Sequence, residues 1–326
     1  MNAAHILASI HDLNVLVIGD VCLDRWCYYD PDLSEPSRET GIPRLAVVNT
    51  ELTPGAAGTI ANNLVSLGVR KVGVVGAVGQ DGFGWELMRA LTARHIAPDL
   101  LVRSAQVTTF TYTKLINSRT GEEDRPRVDF ISSAAIPADV EEELSAHLRQ
   151  WFHHFDVILV SDQAETDTAG VVTPAVRETL IDLATASPEK IVWVDSRVRI
   201  EHFRDVIAKP NAMEAEQACL RAFNDVDLRR LYESRSYKLM MVTDGSNGVR
   251  VFDAAQERHV PGRNVKAVDI CGAGDAFSAG ASCALAATGD PIQAAEFGNL
   301  IASITVQKRG TGSASPQEVL QAAGEA

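Results

Sequence analysis

The chain has 326 residues, 46% of them hydrophobic and 22% charged, a globular balance that excludes a disordered or fibrous protein. A net charge of −13, with acids and bases interspersed, argues against non-specific attachment to nucleic acid or an anionic membrane, yet leaves room for a local arginine pocket. Five cysteines without a Cys-x-x-Cys pairing, no long apolar run and a start (MNAAHILASIHD) without a signal pattern give the expectation of free thiols, no membrane span and a cytoplasmic protein.

In chain order, the β-branched run NVLVIGD (14–20) predicts the first strand. Residues 25–53 follow, rich in Pro, charge and β-formers and without a helical period. GTIANNLVSLG (58–68) reads as a helix, KVGVVGAVG (71–79) as a strand and GWELMRALTARH (84–95) as a helix. VTTFTYTKLIN (107–117) alternates and is rich in Thr and aromatics, which fits an antiparallel or edge strand, and SRTGEEDRPR (118–127) reads as a turn-rich loop. Beyond it, helices are expected over 140–152 and 175–186, and strands over 156–162, 190–196, 238–245 and 248–253. The tail from Gly310 reads as a loop and a short closing helix.

Continuous apolar strands alternating with amphipathic helices argue an α/β fold: a doubly wound, mainly parallel sheet with helices on both faces. Segments 25–53 and 107–127 stand out as a small β lid. The length allows one large domain with that lid, or two domains. Ligands in such sheets bind beyond the carboxyl ends of the strands, where Gly19-Asp20, Ser161-Asp162, Asp195-Ser196 and Thr243-Asp244-Gly245 gather.

The stretch DICGAGDAF (269–277) carries the sharpest chemical signal. Gly272-Ala273-Gly274 lack bulk, so a ligand can approach their N–H groups closely, and a helix starting there offers a positive dipole end to an anion. Asp275 in that first turn could serve as a base for phosphoryl transfer to an alcohol, or simply cap the helix. No Gly-Lys-Ser/Thr follows, and Phe277 stands where a dinucleotide fingerprint needs its third glycine. Asn211 and Glu214, three apart at a helix start, suit either a capping pair or a hydrated Mg²⁺. Asp20 and Asp24 end the first strand, Asp162 ends another, and PGAAGTIANN (54–63) is a second small-residue helix start. Arg127, Arg197 and Arg199 are candidates for a ligand phosphate, whereas the His153-His154 pair reads as solvated.

In this order, GDVCLDRW (19–26), PGAAGTIANNLVSLG (54–68), GAVGQDGFG (76–84), KPNAMEAE (209–216), VTDGSNG (242–248), VDICGAGDAF (268–277) and FGNLIASITVQKRGT (297–311) resemble the ribokinase-like (PfkB) carbohydrate kinase family over residues 12–320. Within it the chain is most similar to the heptose-phosphate kinase domain of the bifunctional heptose kinase/adenylyltransferase, with no counterpart of the adenylyltransferase half. The resemblance implies a single ribokinase-like domain over 1–326 with lid segments at about 25–53 and 107–130. It also implies an ATP-dependent sugar kinase that needs Mg²⁺, acts on a sugar or sugar phosphate, and forms a homodimer through the lid. Asp275 would be the general base, with the backbone of Gly272, Ala273 and Gly274 as the anion hole. Asn211 and Glu214 would order Mg²⁺, while Thr243, Gly245 and Asn299 would line the nucleotide. Asp269 would lie in a loop for a monovalent cation, typically K⁺.

Asp24, Gly55, Ala56, Thr59, Asp162 and Arg127 would form the substrate set. Ala56 stands where the family has a glycine and Thr59 where it has a sugar-binding Asn. Glu165 and the run Asp195-Ser196-Arg197-Val198 replace the heptose kinases' Lys and Asp-Pro-Lys-Gly, and Cys271 replaces a Thr. A nucleoside kinase of the same fold, or a nucleotide-binding regulator without turnover, are the alternatives.

Overall fold

The protein is described from a computed structural model covering residues 1–132, 134–164 and 169–325, so Glu165 lies outside the described residues. Helix α1 (Ala3–Ile10) precedes β1 (Asn14–Gly19). Next come β2 (Val21–Asp30), β3 (Ala46–Ala56), α2 (Ala57–Ser66), β4 (Lys71–Gly79), α3 (Gly82–Thr92), β5 (Leu101–Ser104) and β6 (Thr111–Asn117). The chain continues through α4 (Ala138–Trp151), β7 (Val157–Asp162), α5 (Pro174–Ala186), β8 (Ile191–Ser196), β9 (Ile207–Ala208), α6 (Ala212–Phe223), α7 (Leu228–Ser234) and β10 (Leu239–Thr243). It closes with β11 (Val249–Phe252), β12 (Glu257–Val260), α8 (Ala273–Thr288), α9 (Pro291–Thr305) and α10 (Pro316–Ala323).

The large sheet runs β12-β11-β10-β9-β8-β7-β1-β4-β5. It is parallel from β10 to β5, and only the β10–β11 and β11–β12 pairings are antiparallel. Both faces are covered, which explains the continuous apolar runs. In β1, Val15 and Val17 enter the core shared with α1, α2, α8 and α9, while Leu16 and Ile18 enter the opposite core with α4 and α5. Connections leave β1 toward β4 on one side, and β7 flanks it on the other, so the order reverses there. Asp20 N–H donates to the Ser161 carbonyl at 3.0 Å, joining the two strand ends at that switch point, where doubly wound sheets open their ligand crevice.

A second sheet, β3-β2-β6, forms the lid. Its strand β6 is an edge strand as expected, but pairs parallel to β2, from Leu23 opposite Thr111 to Tyr29 opposite Asn117. Some eighty residues separate the two strands, long enough for the crossover that parallel pairing needs. The short strands β5, β9 and β12 and the helices α1 and α7 escaped the sequence reading, because elements this short carry little periodicity.

Candidate active site

Two cavities open beyond the strand ends. The first, of 210 Å³, lies under the lid and is bounded by Asp24, Thr59, Lys114, Arg127 and Asp275. The second, of 690 Å³, extends over the other side of the same helix start, past Asn211, Glu214, Thr243, Gly245 and Asn299. Gln163, Gly272 and Asp275 border both. The Asp275 side chain therefore borders both cavities at once.

The helix α8 begins with Gly272 at φ 77°, a left-handed conformation that glycine takes without strain, and has no side-chain cap. Of the three N–H groups expected to form an anion hole, that of Ala273 turns back to the Ile270 carbonyl at 3.2 Å. Those of Gly272 and Gly274 have no acceptor among the described residues, and the Asp275 N–H likewise begins the helix unpaired. This corrects the expectation for Ala273, whose donor closes the turn that leads into the helix.

Burial pushes the Asp275 carboxyl up to about 8; the nearby charges of Asp195 and Asp24 add to this, against the pull of Lys209. Its value is thus poised near neutrality, where a general base is most effective. Asp24 is likewise raised by burial, to about 6, although Cys22, Lys114 and Arg127 pull it down.

Asn211 and Glu214 form a reciprocal capping box at the start of α6: the Asn211 N–H donates to Glu214 Oε2 at 2.7 Å and the Glu214 N–H to Asn211 Oδ1 at 2.9 Å. Capping leaves Glu214 Oε1 without a hydrogen bond among the described residues, and both residues still border the larger cavity. Burial raises the Glu214 carboxyl, with Asp195 adding to the effect. Asn299 Nδ2 donates to the Pro261 carbonyl at 3.1 Å, and the Thr243 N–H to the Pro210 carbonyl at 3.1 Å.

Several expected ligand residues are engaged elsewhere. Asp162 is buried away from both cavities, where its carboxylate accepts from Ser196 Oγ at 2.6 Å and forms an ion pair with the buried Arg199. It ties β7 to the loop after β8, so its place as a substrate ligand is corrected, and that of Arg199 as a phosphate contact with it. Asp20 is also buried and accepts from the Gln163 and Val171 N–H groups at 2.9 and 2.8 Å. The Thr59 hydroxyl donates to the Pro54 carbonyl at 3.3 Å. Arg127 borders the lid cavity, held by Asp129 at 2.5 Å, and Arg197 borders it as well. Asp269 accepts from the N–H groups of Cys271 and Gly310, with Lys114 Nζ 4.0 Å away. Both histidines of the pair are exposed, as expected.

Sequence reasoning missed Lys114, Trp26, Gln163 and the buried pair Lys209–Asp195. Lys209 had a signal: it precedes Pro210-Asn211 directly, at the carboxyl end of a strand. Lys114 had only its alternation within β6.

The chain matches the model of the pfkB family carbohydrate kinases over residues 12–318. Among curated proteins it is similar to the bifunctional protein HldE of Pelobacter propionicus, 32% identical over 326 residues, covering 97% of this chain and 64% of that protein. The chain thus spans about two thirds of the length of the curated relatives it matches. Among solved structures, a ribokinase from Thermotoga maritima aligns with a TM-score of 0.72 at 22% identity, over 96% of this chain and 99% of that one. A putative ribokinase II from E. coli in complex with ATP and Mg²⁺ aligns at 0.70 and 18%, over 96% and 100%. A family match across nearly the whole chain, on a fold of the same topology, makes this protein a member of the pfkB family of carbohydrate kinases.

Proposed function

We propose that the chain transfers the γ-phosphoryl group of ATP to a hydroxyl of a phosphorylated sugar held under the lid. One observation carries the reading: Asp275 borders both cavities, so a single carboxylate can take the proton of an acceptor hydroxyl beside the phosphoryl donor. The unpaired N–H groups of Gly272 and Gly274 would receive the charge of the moving group. Arg25, Lys114, Arg127 and Arg197 line the acceptor cavity, Lys114 and Arg127 also pairing with Glu123 and Asp129, and guanidinium and ammonium donors of this kind suit an acceptor already carrying phosphate.

The larger cavity suits a nucleotide, with Thr243, Gly245 and Asn299 along its wall. The uncommitted Glu214 Oε1 beside Asn211 fits a hydrated Mg²⁺, which keeps most of its waters and takes few protein ligands. When bound, that ion neutralises phosphate charge; the chain's residues orient its waters. The Asp269 carboxylate keeps lone pairs for a monovalent cation, although Lys114 competes for its charge. Replacing K⁺ by tetramethylammonium tests that assignment by a fall in turnover.

We read residues 1–326 as one kinase unit. Exposed Val47 and Val48 on β3 support pairing of two copies through the lid, checked by sedimentation. No helix among the described residues is long and apolar enough to cross a membrane, which agrees with a cytoplasmic enzyme.

The test is a panel of phosphorylated and unphosphorylated hexoses and heptoses, with nucleosides, read by ADP release. Phosphorylated sugars are expected to give the highest kcat/KM. Preference for a nucleoside, or no ADP with any acceptor, would overturn the reading.

A further inference from the structure

We propose that Lys209 is the cation that meets the phosphoryl group during transfer, and that Asp195 and Ser278 are the residues that position it. The inference rests on the kinase reading above and assigns residues which that reading does not use.

Strand β9 is only two residues long and lies between β8 and β10, in the middle of the ridge of strand ends. Lys209 follows it, its N–H donating to the Val194 carbonyl at 2.8 Å, so the backbone is fixed alongside β8. The side chain is 4% exposed, and its Nζ lies 2.5 Å from Asp195 Oδ2. That same oxygen accepts from Ser278 Oγ at 3.2 Å, which ties the end of β8 to the second turn of α8. An ammonium has three N–H donors. Asp195 is its one hydrogen-bonding partner among the described residues, and Lys209 borders the larger cavity together with Gly274 and Asp275.

The ammonium is also pressed against the helix start. A Cβ built on Gly274 would fall 3.2 Å from Lys209 Nζ. A cation is unfavourable at the positive end of a helix and burial adds a desolvation cost, but the charges of Asp195, Glu214 and Asp275 outweigh that cost and hold the ammonium protonated. The spare N–H donors of the ammonium and the unpaired N–H groups of the helix start thus lie side by side on the larger cavity. Such a set of donors suits an anion arriving between them, and the group in flight during phosphoryl transfer is an anion with its charge spread over three equatorial oxygens.

In the step, the bond from the acceptor oxygen to the γ-phosphorus forms as the bond from that phosphorus to the ADP oxygen breaks. The acceptor proton passes to Asp275. Lys209 keeps its proton and donates its two remaining N–H groups to equatorial oxygens.

The rival is a purely structural tether between β9 and α8. Binding of Mg²⁺-ADP to the full chain, with and without beryllium fluoride, separates the two, because the fluoride occupies the γ-phosphoryl position without needing an acceptor. Lys209→Met leaves the buried Asp195 charge alone, so the double variant Lys209→Met/Asp195→Asn is measured beside it. In both, ADP alone is expected to bind within about 3-fold of the wild type, while the gain in affinity from fluoride shrinks at least about 10-fold. Ser278→Ala is expected to lose a smaller part of that gain. A double variant that melts early yet keeps the full fluoride gain would establish the tether and overturn the proposal. A wild-type chain that binds neither ADP nor its fluoride complex would take down the kinase reading itself, and this inference with it.

Discussion

Gly55 lies directly beneath Asp24: a Cβ built at position 55 would fall 2.5 Å from Asp24 Oδ1 and 2.5 Å from Cys22 Sγ. The lid ladder sets this closeness by placing Gly55 opposite Cys22 and Thr53 opposite Asp24. The absent side chain is what lets the Asp24 carboxyl lie over the cavity under the lid. Gly55→Ala is therefore expected to displace that carboxyl and raise the acceptor KM about 10-fold or more, with ADP affinity unchanged. Steady-state kinetics and ADP titration check it, and an unaltered acceptor KM would remove Asp24 from the substrate set.

Replacing the base should separate activity from stability. Asp275→Asn is expected to lower kcat by about 10²–10⁴-fold, as for a lost general base. In the wild type, kcat/KM should climb with pH through a midpoint near 8, where the Asp275 carboxyl loses its proton, and level off above it. Stability has the opposite sign. The folded carboxyl titrates near 8 and the ordinary one at 3.8, so between these values the folded chain holds a proton that the unfolded chain has released. Its stabilising contribution is complete below 3.8 and is lost as pH rises through 8. Melting curves at pH 5 and pH 8 should show Asp275→Asn gaining on the wild type at the higher pH.

Ala56 caps α2 at φ 52° and ψ −118°, a conformation that only glycine adopts without strain. Ala56→Gly removes a strain of about 1–3 kcal/mol and loses about 0.4–1 kcal/mol through a more flexible unfolded chain. A net gain of about 1 kcal/mol is expected in urea denaturation. An equal or lower midpoint would mean that the loop holds alanine without strain.

The capping box makes the Mg²⁺ assignment separable from folding. Glu214→Gln keeps an oxygen to accept from the Asn211 N–H but removes the charge, so stability should stay within about 0.5 kcal/mol. The Mg²⁺ concentration giving half-maximal turnover should rise. A Mg²⁺ titration that overlays the wild type would leave Glu214 with capping alone.

Asp162 should behave as a structural acid. Asp162→Asn breaks a buried pair with Arg199 and is expected to cost about 3–5 kcal/mol. The acceptor KM of the folded fraction should not move; a rise of KM without loss of stability would return Asp162 to the substrate set.

Much of this arrangement was readable along the chain. The strands β1, β4, β7 and β8 and the helices α2 to α5 announced themselves within three residues, because an apolar run covered on both faces and a three-to-four repeat are local patterns. The start of α8 was equally plain, since Gly-Ala-Gly before an acid is a local statement about space and dipole. Asp162 and Asp24 were not separable by such means. In the sequence both read as aspartates at a turn near a strand end, although Asp24 lies within β2, and nothing within ten residues of Asp162 reveals that Arg199 will neutralise it.

By itself the sequence determined the family, the doubly wound class, the lid segments and the acid at the helix start, because each is written in contiguous residues. The tertiary structure alone decided that Asp275 faces two cavities, that Lys209 meets Asp195 beside Gly274, that β6 runs parallel to β2, and that Asp162 is a brace rather than a ligand. Those outcomes depend on strand order. Chain segments from 14 to 88 residues apart become neighbours only when the sheet assembles, and the field at a carboxyl is the sum over neighbours that no local window contains.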